Sequence, residues 1–191
     1  LYLSKFEGYK NHKNVILSVY NLLKKNYRIS ITLVGLENLG DKDPKLLNLV
    51  NDINYDYPNS IILQKLTKHN DVHKIYRNYD LHVFGSMCES FGIIILETIA
   101  SSLPIICSNF PVFKEILNNH TLYFDPKNPH MISLTIEKYI KNENLKIKNT
   151  KKLFQIAKKF KWKNSSDATF KFLVKEYEKN KRLKQKINIS N

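Results

Sequence analysis

The sequence predicts an α/β domain, a parallel sheet with helices over both faces, from three observations. Short β-rich runs of three to six residues alternate with helix-like stretches almost to the C-terminus. The chain, at 191 residues with 42% hydrophobic residues, suits one domain with a full core. The run Leu81-His82-Val83-Phe84 reads as a strand that passes through a small-residue turn into a buried helix reaching Leu103-Pro104. Chemistry in such sheets is expected beyond the carboxyl ends of the strands.

The elements follow in order. Leu1–Leu3 is expected as a first strand, with a loop through Tyr9-Lys10-Asn11-His12 and helical spacing from Val15 to Leu23. Ile29–Val34 is β-rich and stops at Gly35. Pro44 opens a helical stretch through Leu46, Leu47, Val50 and Ile53, closed by Tyr57-Pro58. Ile61–Leu63 is the next strand, and Asp71–Tyr79 a short helix with Val72, Ile75, Tyr76 and Tyr79 as its apolar stripe. After the central strand and helix come a strand at Ile105–Cys107, a Pro111-initiated helix to Leu117 and a strand at Thr121–Phe124. From Met131 onward everything reads as helical, fraying over the last residues.

Composition narrows the class. Aromatics at 12%, with five Gly and six Pro, exclude a disordered or fibrous chain. No apolar run approaches the ~20 residues of a membrane span, and no signal peptide opens the chain. Cys88 and Cys107 can form at most one bridge, which points to a reducing, cytoplasmic compartment. The net charge of +14 comes from scattered lysines, densest near the C-terminus. Solvated lysines account for most of that excess; attraction to anionic lipid at the inner membrane face, or to a diphosphate ligand, is the further expectation. Aromatic-plus-basic signatures of RNA-binding sheets are missing, so no nucleic-acid partner is expected.

The most informative stretch is Cys88-Glu89-Ser90-Phe91-Gly92-Ile93-Ile94-Ile95-Leu96-Glu97, where two carboxylates stand eight positions apart around a turn and an apolar run. The first amides of a helix lack internal partners and sit at the positive end of its dipole, so a phosphate there satisfies several at once. Glu97 lies among Ile93, Ile94, Ile95, Leu96, Ile99 and Ala100, where an ionised carboxylate costs several kcal/mol unless hydrogen-bonded. A ribose diol could supply the donors; a nearby lysine or backbone amide is the alternative. Glu89, in the turn, reads from the residues alone as an exposed loop carboxylate. The shared rim of the sheet gathers Lys10, Gly35, Lys65, Glu89 and the helix start at Gly92, which together describe an anion site.

Glu89-Ser90-Phe91-Gly92 through Glu97, then Ala100, Pro104-Ile105-Ile106, Glu115-Ile116 and Phe124-Asp125-Pro126, resemble the C-terminal, donor-binding half of family-4 retaining glycosyltransferases. The Tyr9-Lys10-Asn11-His12 loop, Ile31–Val34 with Gly35, and Phe160-Lys161-Trp162 are similar to further family segments. The resemblance implies a Rossmann-like, three-layer GT-B half-domain over 1–160, with 161–191 as a crossover helix and tail. It implies that Glu97 holds the ribose of a nucleotide-diphosphate sugar, Glu89 faces the donor sugar, and Lys10 neutralises the leaving phosphate. The amides around Ser90, Phe91, Gly92, Ile93 and Ile94 would hold the sugar and diphosphate. Gly35 would line the nucleotide. Lys5 stands where the family commonly has an arginine, and it lacks that residue's two-pronged phosphate contact. The family's usual glycine pair before its later glutamate is absent; Phe110-Pro111-Val112-Phe113 stands before Glu115 instead.

The implied activity is sugar transfer to a hydroxyl acceptor, in surface polysaccharide or glycolipid synthesis, with no metal and no further cofactor. The N-terminal acceptor half is expected to be a missing partner, so the chain alone is expected to transfer poorly. Sugar-nucleotide epimerisation and a non-catalytic nucleotide-sugar-binding module are the alternatives.

Other signals read as structure. Asp41-Lys42-Asp43 is expected as a solvated turn, and the His69 and His73 pair lacks a further ligand at metal-site spacing. His12, in the lysine loop, could touch the diphosphate or acceptor, but reads first as a surface histidine. The stripe Phe170, Leu173, Val174 and Tyr177 reads as core packing or an interface, and exposed apolar side chains are expected after Trp162.

Overall fold

In the computed structural model, residues 1–36, 39–65, 68 and 71–189 are described, without side chains beyond 182. His69 of the histidine pair lies outside them. The chain forms two compact units, Leu1–Ala157 and Lys158–Asn191.

The first unit alternates strand and helix as expected. Its strands are β1 (Tyr2–Leu3), β2 (Ile31–Val34), β3 (Ile61–Gln64), β4 (His82–Phe84), β5 (Ile105–Ser108) and β6 (Leu122–Phe124). Its helices are α1 (His12–Leu23), α2 (Leu39–Lys42), α3 (Pro44–Asp56), α4 (Val72–Tyr76), α5 (Ile93–Ala100), α6 (Pro111–Leu117), α7 (Pro129–Ile140) and α8 (Glu143–Ala157). Pro44, Pro111 and Pro129 each open a helix, where a missing N–H forfeits nothing. Asp43 caps α3 by accepting from Leu46 N at 2.9 Å. Asp41 and Lys42 are thus solvated, as expected, but end a short helix rather than form a turn, and Asp43 is a cap.

Every described strand pairing is parallel, in two three-stranded sheets ordered β1-β2-β3 and β4-β5-β6. Val83 N donates to Leu1 O at 3.0 Å, which lays β4 beside β1. The strands thus run side by side as β3-β2-β1-β4-β5-β6, with the order reversing between β1 and β4. Ligand crevices in open α/β sheets lie at such a reversal, beyond the carboxyl ends of the strands.

Both faces of the sheet are covered, as side-chain alternation along β1 shows. Tyr2 packs into the larger cluster with Val15, Ile16 and Val19 of α1, while Leu1 and Leu3 pack with Val72, Ile75 and Tyr76 of α4. At the end of β2, Gly35 has φ +98°, and a Cβ there would meet Ser4 O at 2.6 Å. Only glycine permits that approach of the β1 and β2 ends.

The second unit is built on α9 (Trp162–Ile189). Trp162 is 82% exposed, and Phe170, Leu173, Val174 and Tyr177 are exposed as well. Among the described residues the stripe is not core: α9 presents it openly, as expected after Trp162. No helix among the described residues is long and apolar enough to cross a membrane.

Candidate active site

The loops after β1 and β4 flank the reversal and are tied together. The first runs from Ser4 through a 3-10 turn at Gly8–Lys10 to Asn11, whose φ of 60° lies in the left-handed region that asparagine tolerates. Met87 N donates to Tyr9 O at 2.8 Å, joining the two loops through backbone. Asn11 Nδ2 donates to Gly85 O at 3.3 Å and to Pro126 O at 2.6 Å, and Asn14 Nδ2 reaches Pro126 O at 3.1 Å. The ends of β4 and β6 are thereby fastened to the loop carrying Lys10. Tyr2 of β1 adds a hydrogen bond from its hydroxyl to Lys10 O beneath.

Lys10 and Glu89 form an ion pair across this junction, with their side chains 11% and 15% exposed. Glu89 is thus half-buried and paired, not an exposed loop carboxylate; the turn folds it back onto a lysine 79 residues away. The Lys10 ammonium also stands 5.0 Å from the centroid of the Tyr9 ring, a cation–π approach that leaves its desolvated charge supported.

Gly92 follows as the N-cap of α5, with φ +87° and no side-chain cap. A Cβ there would stand 3.4 Å from both Ile95 and Phe113. The glycine turns the chain so that Ile93 and Ile94 begin the helix, while Ile95 N already bonds to Gly92 O at 2.9 Å. Ser90, Phe91 and Ile93 are exposed and Ile94 is half-buried, so the helix start opens to solvent. Among the described residues no side chain caps this helix start, and Gly92 itself is buried.

Glu97 sits one turn further on, ~6 Å along the axis from Ile93. It is half-buried, and its Oε2 accepts from Tyr76 Oη at 2.9 Å. Neither a lysine nor a backbone amide supplies that bond. Beside it, Thr98 donates to Ile94 O at 2.7 Å and contacts His82 Nδ1 at 2.7 Å, so its hydroxyl is occupied within the core.

Of the other predicted site residues, Lys5 is exposed on the β1 loop, and Gly35 is buried against Ser4 at the carboxyl end of β2. Lys65 is exposed after β3. His12 is buried rather than on the surface, stacked on Phe6 with centroids 5.5 Å apart and with Nε2 3.5 Å from Ser4 Oγ. Burial, reinforced by the positive charge of Lys10, lowers its pKa to about 4, so the imidazole is neutral at physiological pH. Sequence reasoning missed the parts played by Tyr76, Tyr2 and Asn14. Tyr76 counted only as one member of an apolar stripe, and nothing local to it signals a distant carboxylate. The described residues contain no group of three or more His, Cys, Asp or Glu arranged to hold a metal.

The fold and rim define a Rossmann-like α/β protein whose candidate site lies where the strand order reverses. The chain belongs to the family of glycosyl transferases group 1, which its residues 1–160 match. It is similar to O-antigen chain mannosyltransferase B of Escherichia coli, 27% identical over 169 residues, covering 88% of this chain and 44% of that protein. It is also similar to O-antigen chain mannosyltransferase RfbU of Salmonella typhimurium, 30% identical over 115 residues, covering 60% and 31% respectively. Among solved structures, Anabaena HepE in complex with UDP and glucose superposes with a TM-score of 0.78 at 15% identity. That superposition covers 91% of this chain and 47% of HepE, and it is a likeness of fold, of the GT-B glycosyltransferase kind. The chain thus spans less than half the length of these relatives.

Proposed function

We propose that this chain is the donor-binding half of a retaining, family-4 type glycosyltransferase. It takes a nucleotide-diphosphate sugar and, with an acceptor-binding half, passes the sugar to a hydroxyl acceptor in surface polysaccharide synthesis. The single observation that carries this reading is the convergence of Lys10, Glu89 and the open start of α5 on one rim at the strand reversal. The O-antigen mannosyltransferase relatives support polysaccharide synthesis as its setting, and HepE's complex supports a nucleotide ligand.

Each residue has a role in this chemistry. Breaking the bond between the anomeric carbon and the diphosphate leaves an oxocarbenium-like carbon and a leaving group that takes the electron pair. Lys10 and the amides of Phe91, Gly92, Ile93 and Ile94 meet the diphosphate, with fixed positive charge where negative charge develops. That charge does the work a metal would otherwise do, so the reaction as read uses none. Glu89 faces the sugar, where a carboxylate stabilises the cationic carbon or orients a hydroxyl. Its pairing with Lys10 means that an arriving diphosphate competes with Glu89 for the ammonium. Glu97 accepts from the ribose hydroxyls, while Gly35, Ser90 and Lys5 border the nucleotide and phosphates. The surplus of basic residues suits peripheral attachment to an anionic inner membrane face, on the cytoplasmic side.

A thermal-shift panel of UDP, GDP, dTDP and CMP sugars against this chain tests the reading. Stabilisation by one base class is expected. No stabilisation by any of them, with duplex DNA binding more tightly at physiological salt, would overturn it.

A further inference from the structure

Tyr76 closes α4 and is 1% exposed, packed among Leu1, Leu3, Val34, Val72, Ile75 and Leu103. Its ring lies 6.1 Å from the centroid of His82. The single polar atom at the end of this apolar side chain is aimed out of the cluster at Glu97, donating to Oε2 at 2.9 Å. Among the described residues no ion pair is made to Glu97. A phenol has one proton to give, and an ionised carboxylate has about four acceptor sites. The neutral bond therefore fixes one oxygen in place and leaves the negative charge uncancelled. A lysine in the same place would fix the carboxylate but compete for it.

We propose that Tyr76 is a positioning residue: its hydroxyl locks Glu97 so that the remaining carboxylate oxygen is presented to the adjacent hydroxyls of a nucleoside diphosphate's ribose. The proposal rests on the reading of Glu97 as the ribose acceptor and adds what holds it in register. Burial, together with the negative charge of Glu97, raises the pKa of Tyr76, so the phenol stays a donor across the physiological range. Both partners sit on helices that pack on the core, which gives the carboxylate a single orientation before any ligand arrives, the condition for recognition without reordering.

The test is a calorimetric comparison of UDP with dUDP, and of GDP with dGDP, against the chain, Tyr76→Phe and Glu97→Gln. The wild-type chain should prefer the ribo form of the base it accepts by about tenfold, the scale of a charge-assisted hydrogen bond. In Tyr76→Phe that preference should fall below about threefold, approaching that of Glu97→Gln. The ratio of the two ligands is independent of the folded fraction, so a merely structural loss would lower both affinities and leave it unchanged. Tyr79→Phe, which loses only a 3.4 Å contact to Gln64, should keep the wild-type ratio. A ribo preference that survives in Tyr76→Phe but vanishes in Glu97→Gln overturns the positioning role and leaves the ribose role standing. A wild-type chain that shows no ribo preference, or binds neither diphosphate, overturns both.

Discussion

Glu89 and Glu97 stand eight positions apart on one turn and helix, and the protein satisfies them in opposite ways. Glu89 is met by a charge, the Lys10 ammonium, in a pair whose partners are 15% and 11% exposed. Glu97 is met by a neutral phenol at 2.9 Å and by no cation among the described residues. The first arrangement is self-neutralising and has to be rearranged when an anion arrives. The second, in the proposed role, leaves the other carboxylate oxygen for the hydroxyls of a ligand. The proposed site for a diphosphate attached to a ribose would use that division: a cation that can be shared at one end and a fixed acceptor at the other.

The largest effect should come from breaking the first pair. Lys10→Met leaves Glu89 without its cation in a half-buried turn and should lower unfolding stability by on the order of 3 kcal/mol in chemical denaturation. Lys10→Met with Glu89→Leu should recover most of that loss, because the desolvation cost of both charges disappears together. Nucleotide-sugar binding should be lost in both variants. Recovery of stability together with binding would show that the pair has no part in holding phosphate.

Acid sharpens the contrast, because the Lys10 side borders a buried imidazole. His12 protonates at about 4 in the fold against about 6.5 unfolded. Between those values the unfolded chain binds more protons, so stability rises with pH there and falls as pH drops from 6.5 towards 4. The full loss is roughly 3 kcal/mol for this group, at ~1.4 kcal/mol per pKa unit. His12→Gln should flatten that limb of the profile. Lys10→Met should also shallow it, since the ammonium is the second cause of the lowered value.

The smallest effect is expected on α4, outside its contact with Glu97. Asp71 pairs with Lys74 at 2.7 Å, with the Lys74 side chain 67% exposed and that of Asp71 44% exposed. Exposed pairs of this kind contribute little. Asp71→Ala should leave the melting temperature and the nucleotide affinity where they are. A change in affinity would mean that α4 is held in register from its surface and not by its core face.

Much of this was legible in the sequence because local rules decided it. Prolines at 44 and 111 marked helix starts, Gly35 and Gly92 marked turns, and short apolar runs marked strands of a parallel sheet. The rim could be listed in advance, since it follows from strand direction alone. The pairing of Lys10 with Glu89 and of Tyr76 with Glu97 could not, because each joins residues distant in the chain through the strand order. His12 was misread for the same reason: its burial depends on Phe6 and Ser4 folding over it, and not on its own neighbours in α1. Asp43 was misread for a simpler one, since a loop aspartate before a proline is equally a cap.

The most direct test of the central claim is the affinity of the best-stabilising sugar nucleotide for the chain against that for Glu97→Gln. The substitution keeps the shape and removes the charge, while Tyr76 can still donate to the amide oxygen. Weakening by at least ~1.5 kcal/mol, more than tenfold in Kd, is the expected result. An unchanged affinity would contradict the claim that this carboxylate holds the nucleotide.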